Sequence, residues 1–254
     1  LNLEKYDEWK DEEKFVEDVM RFLDNIMSDF INKAPDSFEN AKYSAMRERS
    51  VGLGVMGLHS YFQKKKIPFG SVMSKVWNKK VFKDIQTKVD AASVTLAEER
   101  GACPDAEEYG VKERFSNKTA IAPTASISII CGGTSPGIEP ISGNSYTHKT
   151  LSGSYNVRNK YLTEVLENYG KNNDEIWSSI TTNQGSVSHL DFLTIEEKET
   201  FKTAFEIDQR WIVELGADRT PHISQAQSVN VFIPADIHKR DLHNIHFQAW
   251  KKGL

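Results

Sequence analysis

Apolar residues at helical spacing predict several helices in the first half of the chain. The first predicted helix, before Pro35, carries Phe15, Val19, Phe22, Leu23, Ile26 and Phe30. A second and clearer helix is capped by Ser74 and ended by Gly101. We expect it to bury a stripe made of Phe82, Ile85, Val89, Ala92 and Leu96. Between them, residues 58–62 have the pattern of the first turns of another helix.

Further helices are predicted in the second half. Residues 157–168 form one, with Gly170 just after its end. Thr194 and Glu197 form a capping box, which predicts the start of a long helix. Its apolar face would consist of Phe201, Ala204, Phe205, Trp211, Ile212 and Leu215. The last predicted helix spans residues 237–250.

Short apolar segments between the helices predict β-strands. They cover residues 50–55, 118–123 and 228–233, and residues 1–3 have the pattern of the end of a further strand. The alternation of helices and strands is typical of an α/β fold with parallel strands. We expect residues 1–254 to form a single unit, because no repeat, linker or charge run marks a domain boundary.

Composition and charge exclude several classes of function. The formal net charge is −4, and the longest basic run is residues 64–66, so nucleic-acid binding is not expected. No apolar stretch is long enough to span a membrane, and no signal peptide opens the sequence. Two cysteines, Cys103 and Cys131, are too few for a disulfide framework. They indicate a reducing, cytoplasmic environment.

The most informative segment is residues 121–140. A strand ends at Pro123, and the small residues Thr124, Ser126 and Ser128 follow it before a glycine-rich turn. A strand that leads through small residues into a short helical turn leaves backbone N–H groups unpaired and pointing in one direction. Such a nest binds phosphate. From these residues alone, an ordinary strand-to-loop connection is the alternative.

The segment resembles the substrate-diphosphate loop of the ribonucleotide reductase large subunit. That family carries Pro-Thr-Ala-Ser followed by Ile-Glu-Pro, and this chain has them at residues 123–126 and 138–140. Other segments are also similar to the family, namely residues 46–55, 97–103, 146–153, 222–233 and 246–254. The resemblance therefore covers nearly the whole chain, in order.

The resemblance implies both a fold and a function. The fold would be the C-terminal part of a ten-stranded α/β barrel, incomplete without an N-terminal partner. The complete enzyme would reduce ribonucleoside diphosphates to 2′-deoxyribonucleoside diphosphates by thiyl-radical chemistry, for deoxyribonucleotide synthesis and DNA replication. By the same resemblance, the residues that contact the substrate phosphates are Pro123, Thr124, Ala125, Ser126 and Ile127, with Ser128 as a further candidate.

The same resemblance predicts no catalytic residue in this chain. The thiyl cysteine, its Glu and Asn helpers, the redox cysteines and the sites for ATP and dNTP effectors would precede Leu1. A radical-transferring tyrosine pair and a mobile cysteine tail would follow Leu254. We therefore expect either a naturally split subunit or a fragment. The partners implied are the N-terminal chain or segment, a small subunit with a diiron-tyrosyl radical, and thioredoxin or glutaredoxin as reductant.

The motifs are also compatible with two alternatives. Ile127-Ser128 and Gly137-Ile138 are similar to the loop of the cobalamin-dependent reductases, whereas residues 225–230 favour the class with a diiron partner. The departure at residues 127–129 is also similar to phage-type large subunits. A second alternative, of a different class, is a non-catalytic module that only binds a partner chain.

A glycine motif and a group of histidines suggest two other kinds of site. Gly52, Gly54 and Gly57 match the Gly-x-Gly-x-x-Gly pattern of dinucleotide-binding folds. No acidic residue lies near residues 72–77, where that motif needs one, so we expect the glycines to let a strand pack closely under a helix. A metal site is not expected from the histidines of the last helix, because no cysteine or carboxylate cluster accompanies them. These histidines are His238, His243 and His246.

Three other reactive side chains are expected to be structural. Cys103 is predicted to be packed. Cys131 is expected to fill space behind the loop rather than act as a redox thiol, because no basic residue neighbours it in the sequence. Glu139 is expected to be buried and to accept backbone N–H bonds.

Overall fold

A computed structural model describes residues 1–150 and 153–254. Leu151 and Ser152, in the segment 146–153 that supports the family resemblance, lie outside the described residues. The helices are α1 Tyr6–Trp9, α2 Phe15–Lys33, α3 Glu39–Glu48, α4 Leu58–Lys64, α5 Val72–Arg100, α6 Pro104–Glu108, α7 Ile127–Ile130, α8 Lys160–Asn168, α9 Asp174–Thr182, α10 Ile195–Thr200, α11 Arg210–Arg219 and α12 Lys239–Lys251. Strands β1 Ser145–Thr150 and β2 Gly153–Arg158 form an antiparallel hairpin.

Four extended segments lie side by side and form what we call the parallel wall. In spatial order they are residues 1–2, 51–56, 117–122 and 224–228, and a 3-10 helix begins at Leu3. Parallel bridges join Asn2 to Met56, Leu53 to Thr119 and Ile121 to Gln227. The sequence predicted an extended segment at or next to each of these places, and their parallel order confirms the α/β arrangement.

The larger hydrophobic core lies where the wall, α4, α5 and α11 meet. Leu53 and Ile121 contribute to it from the wall, Phe62 from α4, Val89 from α5 and Leu215 from α11. A second cluster holds the later helices together and consists of Leu162, Leu166, Trp177, Ile180, Val187, Leu190, Leu193 and Phe201. Burial of apolar side chains in these two clusters is the main force that stabilises the fold.

The long helix α5 follows the prediction except at its first residue. Its predicted stripe from Phe82 to Leu96 is buried, and Gly101 ends it with a φ of 86°. The capping residue is Ser71, not Ser74, because the Ser71 hydroxyl accepts the hydrogen bond from the Ser74 backbone N–H at 3.1 Å. The Ser74 hydroxyl instead donates to the carbonyl oxygen of Phe69 at 2.7 Å.

Helix α2 is present as predicted, but much of its predicted apolar stripe is exposed. Phe22 is 62 % exposed and Ile26 is 50 % exposed. The buried face carries Val16, Met20 and the charged residue Asp24. Apolar residues lie on two sides of this helix, so periodicity alone could not show which side faces the core.

The sequence missed the hairpin and placed the next helix too early. Residues 157 and 158 belong to β2, and α8 begins only at Lys160. Asn159 caps α8, since its side-chain oxygen accepts from the backbone N–H groups of Tyr161 and Leu162. The predicted start at residue 157 is therefore wrong, because the N-cap lies two residues further on.

The long helix predicted after Thr194 is also wrong. The capping box of Thr194 and Glu197 is confirmed, but α10 ends at Thr200 and α11 begins only at Arg210. The side-chain amide of Asn144 donates to the Phe201 carbonyl oxygen at 2.7 Å. The Ala204 N–H donates to the carbonyl oxygen of Ile141 at 2.7 Å. Backbone groups that would continue the helix thus bind the segment that follows the loop.

The fourth segment of the wall lies earlier in the chain than predicted, at residues 224–228 instead of 228–233. Its pairing within the described residues ends with the Ser228 N–H, which donates to the Ile121 carbonyl oxygen at 2.9 Å. Residues 231–233 are only half-buried, so the prediction of a buried strand over 228–233 is wrong both in position and in burial. The segment pairs on one side with residues 117–122, and one-sided pairing leaves it partly open to solvent. Helix α12 begins close to its predicted start, with His238 as its N-cap.

Candidate phosphate-binding loop

The loop after the third wall segment is held in a closed shape by Thr124. This residue has a φ of 55°, in the left-handed region that few side chains adopt. Its carbonyl oxygen accepts from the Ser128 N–H at 3.0 Å. Its Oγ1 accepts from the Gly137 N–H at 2.7 Å. The residue at the strand exit therefore binds both the short helix α7 and the far end of the loop.

Three consecutive backbone N–H groups in this loop are available as donors. Among the described residues, the N–H groups of Ala125, Ser126 and Ile127 donate no hydrogen bond, and all three residues are exposed. A left-handed residue followed by right-handed ones turns successive N–H groups toward one point, which is the geometry of an anion nest. The predicted phosphate residues thus lie together. Ser128 is different, because it is buried and its hydroxyl donates to the Ala125 carbonyl oxygen at 3.2 Å.

The chain returns from the loop along residues 134–141, which we call the return arm. The arm covers the N-terminus of α4, where the Gly57 N–H donates to the Ser135 carbonyl oxygen at 2.8 Å. Ser60 and Ser135 exchange bonds, each backbone N–H donating to the other hydroxyl, at 3.0 and 2.8 Å. A dinucleotide bound at this turn would need the N–H groups of Gly57 and Ser60 as donors to its phosphates. The arm therefore excludes a pyrophosphate from the Gly-x-Gly-x-x-Gly turn.

The glycines of that motif allow close packing instead. A Cβ on Gly54 would lie 2.6 Å from the Ala120 carbonyl oxygen, and one on Gly52 would lie 3.1 Å from the Ala120 Cβ. Gly57 has a φ of 82°, and its Cβ would lie 2.6 Å from Thr134 Oγ1. The glycines do allow close packing, as predicted. They pack against the neighbouring wall segment and the return arm, however, and not against a helix.

Glu139 lies in the return arm and is 8 % exposed. Its carboxylate accepts a hydrogen bond from the side-chain amide of Asn230. Among the described residues no backbone N–H donates to this carboxylate, so the predicted backbone partners are wrong. Burial raises the pKa of the Glu139 carboxyl above its ordinary value, and the bond from Asn230 only partly opposes this.

His59 is a buried contact of the return arm that the sequence did not reveal. Its Nδ1 accepts from the Ile141 N–H at 2.9 Å, which places the ring hydrogen on Nε2. Burial lowers the pKa of His59 to about 3, so the ring is neutral at ordinary pH. A histidine within an apolar helix carries no sequence signal for such a bond.

A cleft of about 560 Å³ opens beside the loop, within the size range of small-molecule sites. Ala125 and Ser128 line it on the loop side, and Glu139 lines it from the return arm. Gln63 of α4 lines another side, with its Oε1 accepting from the Asn159 amide at 3.0 Å. The cleft lies at the carboxyl ends of the wall segments, where α/β folds bind their ligands.

The other candidate residues lie apart from this cleft. His238 Nδ1 accepts from the Arg240 N–H at 3.2 Å, and the His243 ring stacks on Phe247. Within residues 1–150 and 153–254, no group of His, Cys, Asp and Glu side chains is suited to hold a metal ion. In the same part of the chain, no helix is both long and apolar enough to cross a membrane.

The two cysteines differ in exposure. Cys103 is fully buried, as predicted. Cys131 is exposed, so the prediction that it fills space behind the loop is wrong. It is the residue directly after α7, and its neighbours Ile129 and Ile130 are also exposed.

Comparison with known proteins identifies the family. A family model described as "Ribonucleotide reductase, barrel domain" matches residues 1–113 and 105–254. The chain therefore belongs to the barrel-domain family of ribonucleotide reductase, as its motifs predicted.

The individual relatives are large subunits of this enzyme. The chain is 47 % identical over 258 residues to the "Ribonucleoside-diphosphate reductase large subunit" of Invertebrate iridescent virus 6, and 100 % of this chain aligns with 27 % of that protein. It is 41 % identical over 256 residues to the "Putative ribonucleoside-diphosphate reductase large subunit" of Frog virus 3, with 100 % of this chain and 45 % of that protein aligned.

A solved structure supports the fold. The "Actinobacillus ureae class Id ribonucleotide reductase alpha subunit" superposes with a TM-score of 0.92 at 39 % identity, covering 100 % of this chain and 46 % of that chain. The chain thus spans less than half the length of the relatives compared here, and the fold is the predicted part of the reductase barrel.

Proposed function

We propose that this chain supplies the substrate-diphosphate loop and part of the barrel wall of a ribonucleoside-diphosphate reductase large subunit. The observation that carries the proposal is that three consecutive backbone N–H groups donate no hydrogen bond among the described residues. They belong to Ala125, Ser126 and Ile127. It lies at the carboxyl end of a wall segment, in a chain that aligns over its full length with large subunits. The complete enzyme would reduce ribonucleoside diphosphates to 2′-deoxyribonucleoside diphosphates.

The loop would bind the diphosphate mainly through its backbone. The small side chain of Ala125 lets phosphate oxygens approach the main chain, and the N–H groups of residues 125–127 donate to them. The Ser126 hydroxyl adds one donor, because it is exposed beside these groups. Thr124 acts differently, since its Oγ1 is engaged by the Gly137 N–H and its left-handed backbone sets the direction of the nest. Pro123 fixes the exit of the wall segment.

The chemical steps are assigned to parts of the enzyme other than this chain. Among residues 121–140, Glu139 is the single carboxylate, and it lies in the return arm rather than in the nest. We propose that the radical originates in a metal-containing small subunit and that a dithiol protein such as thioredoxin or glutaredoxin supplies electrons. ATP and dNTP effectors would bind the remaining part of the large subunit. That part is either a separate chain of a split subunit or a segment of the same polypeptide, and the enzyme would act in the cytoplasm.

Two observations favour this assignment over the alternatives. The relatives described above are named as large subunits, which implies a small-subunit partner rather than cobalamin. The open nest also favours a role in substrate binding over a purely assembling role, because a module that only binds a partner chain has no need of unpaired, exposed N–H groups. The similarity of residues 127–129 to phage-type subunits stays a prediction.

Reconstitution tests the proposal. The purified chain would be assayed with CDP, a radical-generating small subunit and thioredoxin, with and without the remaining part of a large subunit from a close relative. We expect turnover only in the complete mixture. Turnover by the chain alone would contradict the assignment of the chemistry. A complete mixture that assembles but binds no CDP would instead favour the assembly module.

A further inference from the structure

Two of the segments that support the family resemblance meet through one hydrogen bond. Glu139 belongs to the Ile-Glu-Pro segment, and Asn230 belongs to the segment 222–233. The Asn230 side-chain amide donates to Glu139 Oε1, although the two residues are 91 positions apart. Neither residue belongs to the proposed phosphate nest, so binding of the diphosphate does not by itself explain why they are paired.

The bond connects the return arm to the fourth segment of the wall. Asn230 follows Ser228, whose N–H makes the last wall bond of that segment. Glu139 is almost fully buried in the arm, and its carboxylate has no other hydrogen-bond donor among the described residues. A buried carboxylate with one donor depends strongly on that donor, because losing it leaves the group unsatisfied.

The return arm in turn sets the shape of the loop. Gly137, two residues before Glu139, donates from its N–H to Thr124 Oγ1 at 2.7 Å. A Cβ on Gly137 would lie 3.0 Å from the Ala122 carbonyl oxygen, so the arm lies directly against the strand exit. Movement of Glu139 would therefore be transmitted through Gly137 to the left-handed residue that directs the nest.

The arm has a second, independent fixing point. His59 Nδ1 accepts from the Ile141 N–H at 2.9 Å, and Ser60 pairs with Ser135. These contacts attach the arm to α4. The bond between Glu139 and Asn230 attaches it to the chain just after the fourth wall segment. Without that bond, the arm would stay attached to α4 and to Thr124 but would lose its connection to the end of the fourth segment.

We propose that Glu139 and Asn230 are positioning residues, which hold the return arm so that the nest of residues 125–127 is ready for the substrate diphosphate. They act on the nest through Gly137 and Thr124, although Glu139 also lines the cleft. This inference rests on the proposed function of the loop. It assigns a role to the Glu of Ile-Glu-Pro and to the Asn of the later segment, which the phosphate contacts leave unexplained.

Four variants test the proposal in the reductase reconstituted with the remaining part of the large subunit and the small subunit. Asn230→Ala and Glu139→Ala should each raise KM for CDP about tenfold and leave kcat within about twofold. Glu139→Gln should have nearly the same KM and kcat as the unchanged enzyme, because its amide oxygen can still accept the hydrogen bond from Asn230. The double alanine variant should have no higher KM for CDP than either single variant, since both substitutions remove the same hydrogen bond. Glu196→Ala, at an exposed position of α10, is the control.

Hydrogen exchange on the chain alone separates this proposal from the proposed function. In Asn230→Ala, the Gly137 amide should exchange several-fold faster than in the unchanged chain, whereas Glu139→Gln should show no change. Asn230 is exposed, so its replacement leaves the core intact. If exchange follows this pattern but the complete mixture never reduces CDP, the proposed function fails and the positioning role stands.

Three results would overturn the positioning role. One is an unchanged Gly137 exchange rate in Asn230→Ala. Another is additive loss in the double variant, which would mean that the two residues act separately. The third is a Glu139→Gln enzyme with a normal KM and a collapsed kcat, because that result would make Glu139 a proton-transferring group instead.

Discussion

Arg49 donates two hydrogen bonds to one oxygen of Asp24, from Nε at 2.9 Å and from Nη2 at 2.6 Å. Asp24 is fully buried in α2, and Arg49 ends α3 with a left-handed φ of 43°. Arg114 and Arg100 also donate to this carboxylate, at 2.9 and 2.7 Å. Burial by itself would raise the pKa of Asp24, but the bonds from Arg114, Arg100 and Arg49 outweigh it and lower the pKa below its ordinary value.

This cluster joins α2, α3, α5 and the segment before the third part of the wall. We expect Asp24→Asn to lower the free energy of unfolding by about 3–5 kcal/mol, because it leaves buried guanidinium groups without their counter-charge. Urea denaturation measures the change. Asp29→Asn, at an exposed pair with Lys33 on the same helix, should change stability by less than about 0.5 kcal/mol. Equal effects of the two substitutions would mean that the cluster contributes nothing beyond a surface ion pair.

His59 makes stability depend on pH in a predictable direction. The unfolded chain binds a proton at this side chain below pH 6.5, while the folded chain does so only near pH 3. Protonation therefore favours the unfolded state, and stability falls as the pH drops from 6.5 toward 3. Between pH 7 and pH 5 this one residue should remove about 2 kcal/mol, at about 1.4 kcal/mol per pH unit below 6.5.

The variant His59→Asn isolates this contribution. Its side-chain oxygen can still accept from the Ile141 N–H but cannot bind a proton in this range. Urea denaturation at pH 7 and pH 5 should show a smaller loss of stability in the variant than in the unchanged chain. If both lose the same amount, the ring is protonated in the folded protein or its proton is bound equally in both states.

The glycine motif leads to a stability prediction rather than a binding one. Gly54→Ala would place a Cβ 2.6 Å from the Ala120 carbonyl oxygen, so the neighbouring wall segment must shift. We expect a loss of about 1–3 kcal/mol, measured by thermal or urea denaturation. Gly143→Ala is a matched control, because its nearest contact would be an ordinary 3.4 Å. A stable Gly54→Ala protein that has lost NAD binding would support the dinucleotide alternative instead.

The sequence predicted most of the elements because their signals are local. The stripe of α5, the capping box at Thr194 and the segment ended by Pro123 each depend on neighbouring residues. The family motifs then indicated the barrel, which the hydrophobic pattern alone could not, since segments of two or three paired residues look alike in many α/β folds. The phosphate loop could be located for the same reason: small residues and glycines are visible in the sequence itself.

The errors occurred where distant residues decide the local structure. Helix α10 ends because Asn144 and Ile141 bind the backbone beyond it. The residues near Thr200 contain no signal that would predict this end. The buried side of α2 is selected by Asp24, whose arginine partners lie 25 to 90 positions away. The partner of Glu139 is likewise 91 positions distant. Periodicity and capping rules contain no information about such pairs.

The backbone of the loop and its side chains should contribute differently to phosphate binding. Ser126→Ala removes one hydroxyl and should raise KM for the diphosphate by about fivefold, as expected for about 1 kcal/mol. Thr124→Pro should raise this KM far more, because proline is restricted to a φ near −65° while Thr124 has a φ of 55°. Ala125→Leu should also raise KM strongly, since the larger side chain would block the approach of the phosphate to the N–H groups.

Thr124→Gly is the informative control in the same reconstituted enzyme. Glycine adopts a positive φ readily, so the nest keeps its direction while the acceptor for the Gly137 N–H is lost. KM in Thr124→Gly should therefore lie between those of the unchanged enzyme and Thr124→Pro, with kcat little altered. If Ser126→Ala abolished activity while Thr124→Pro had no effect, the phosphate would be held by side chains, and the backbone nest would be the wrong description of this loop.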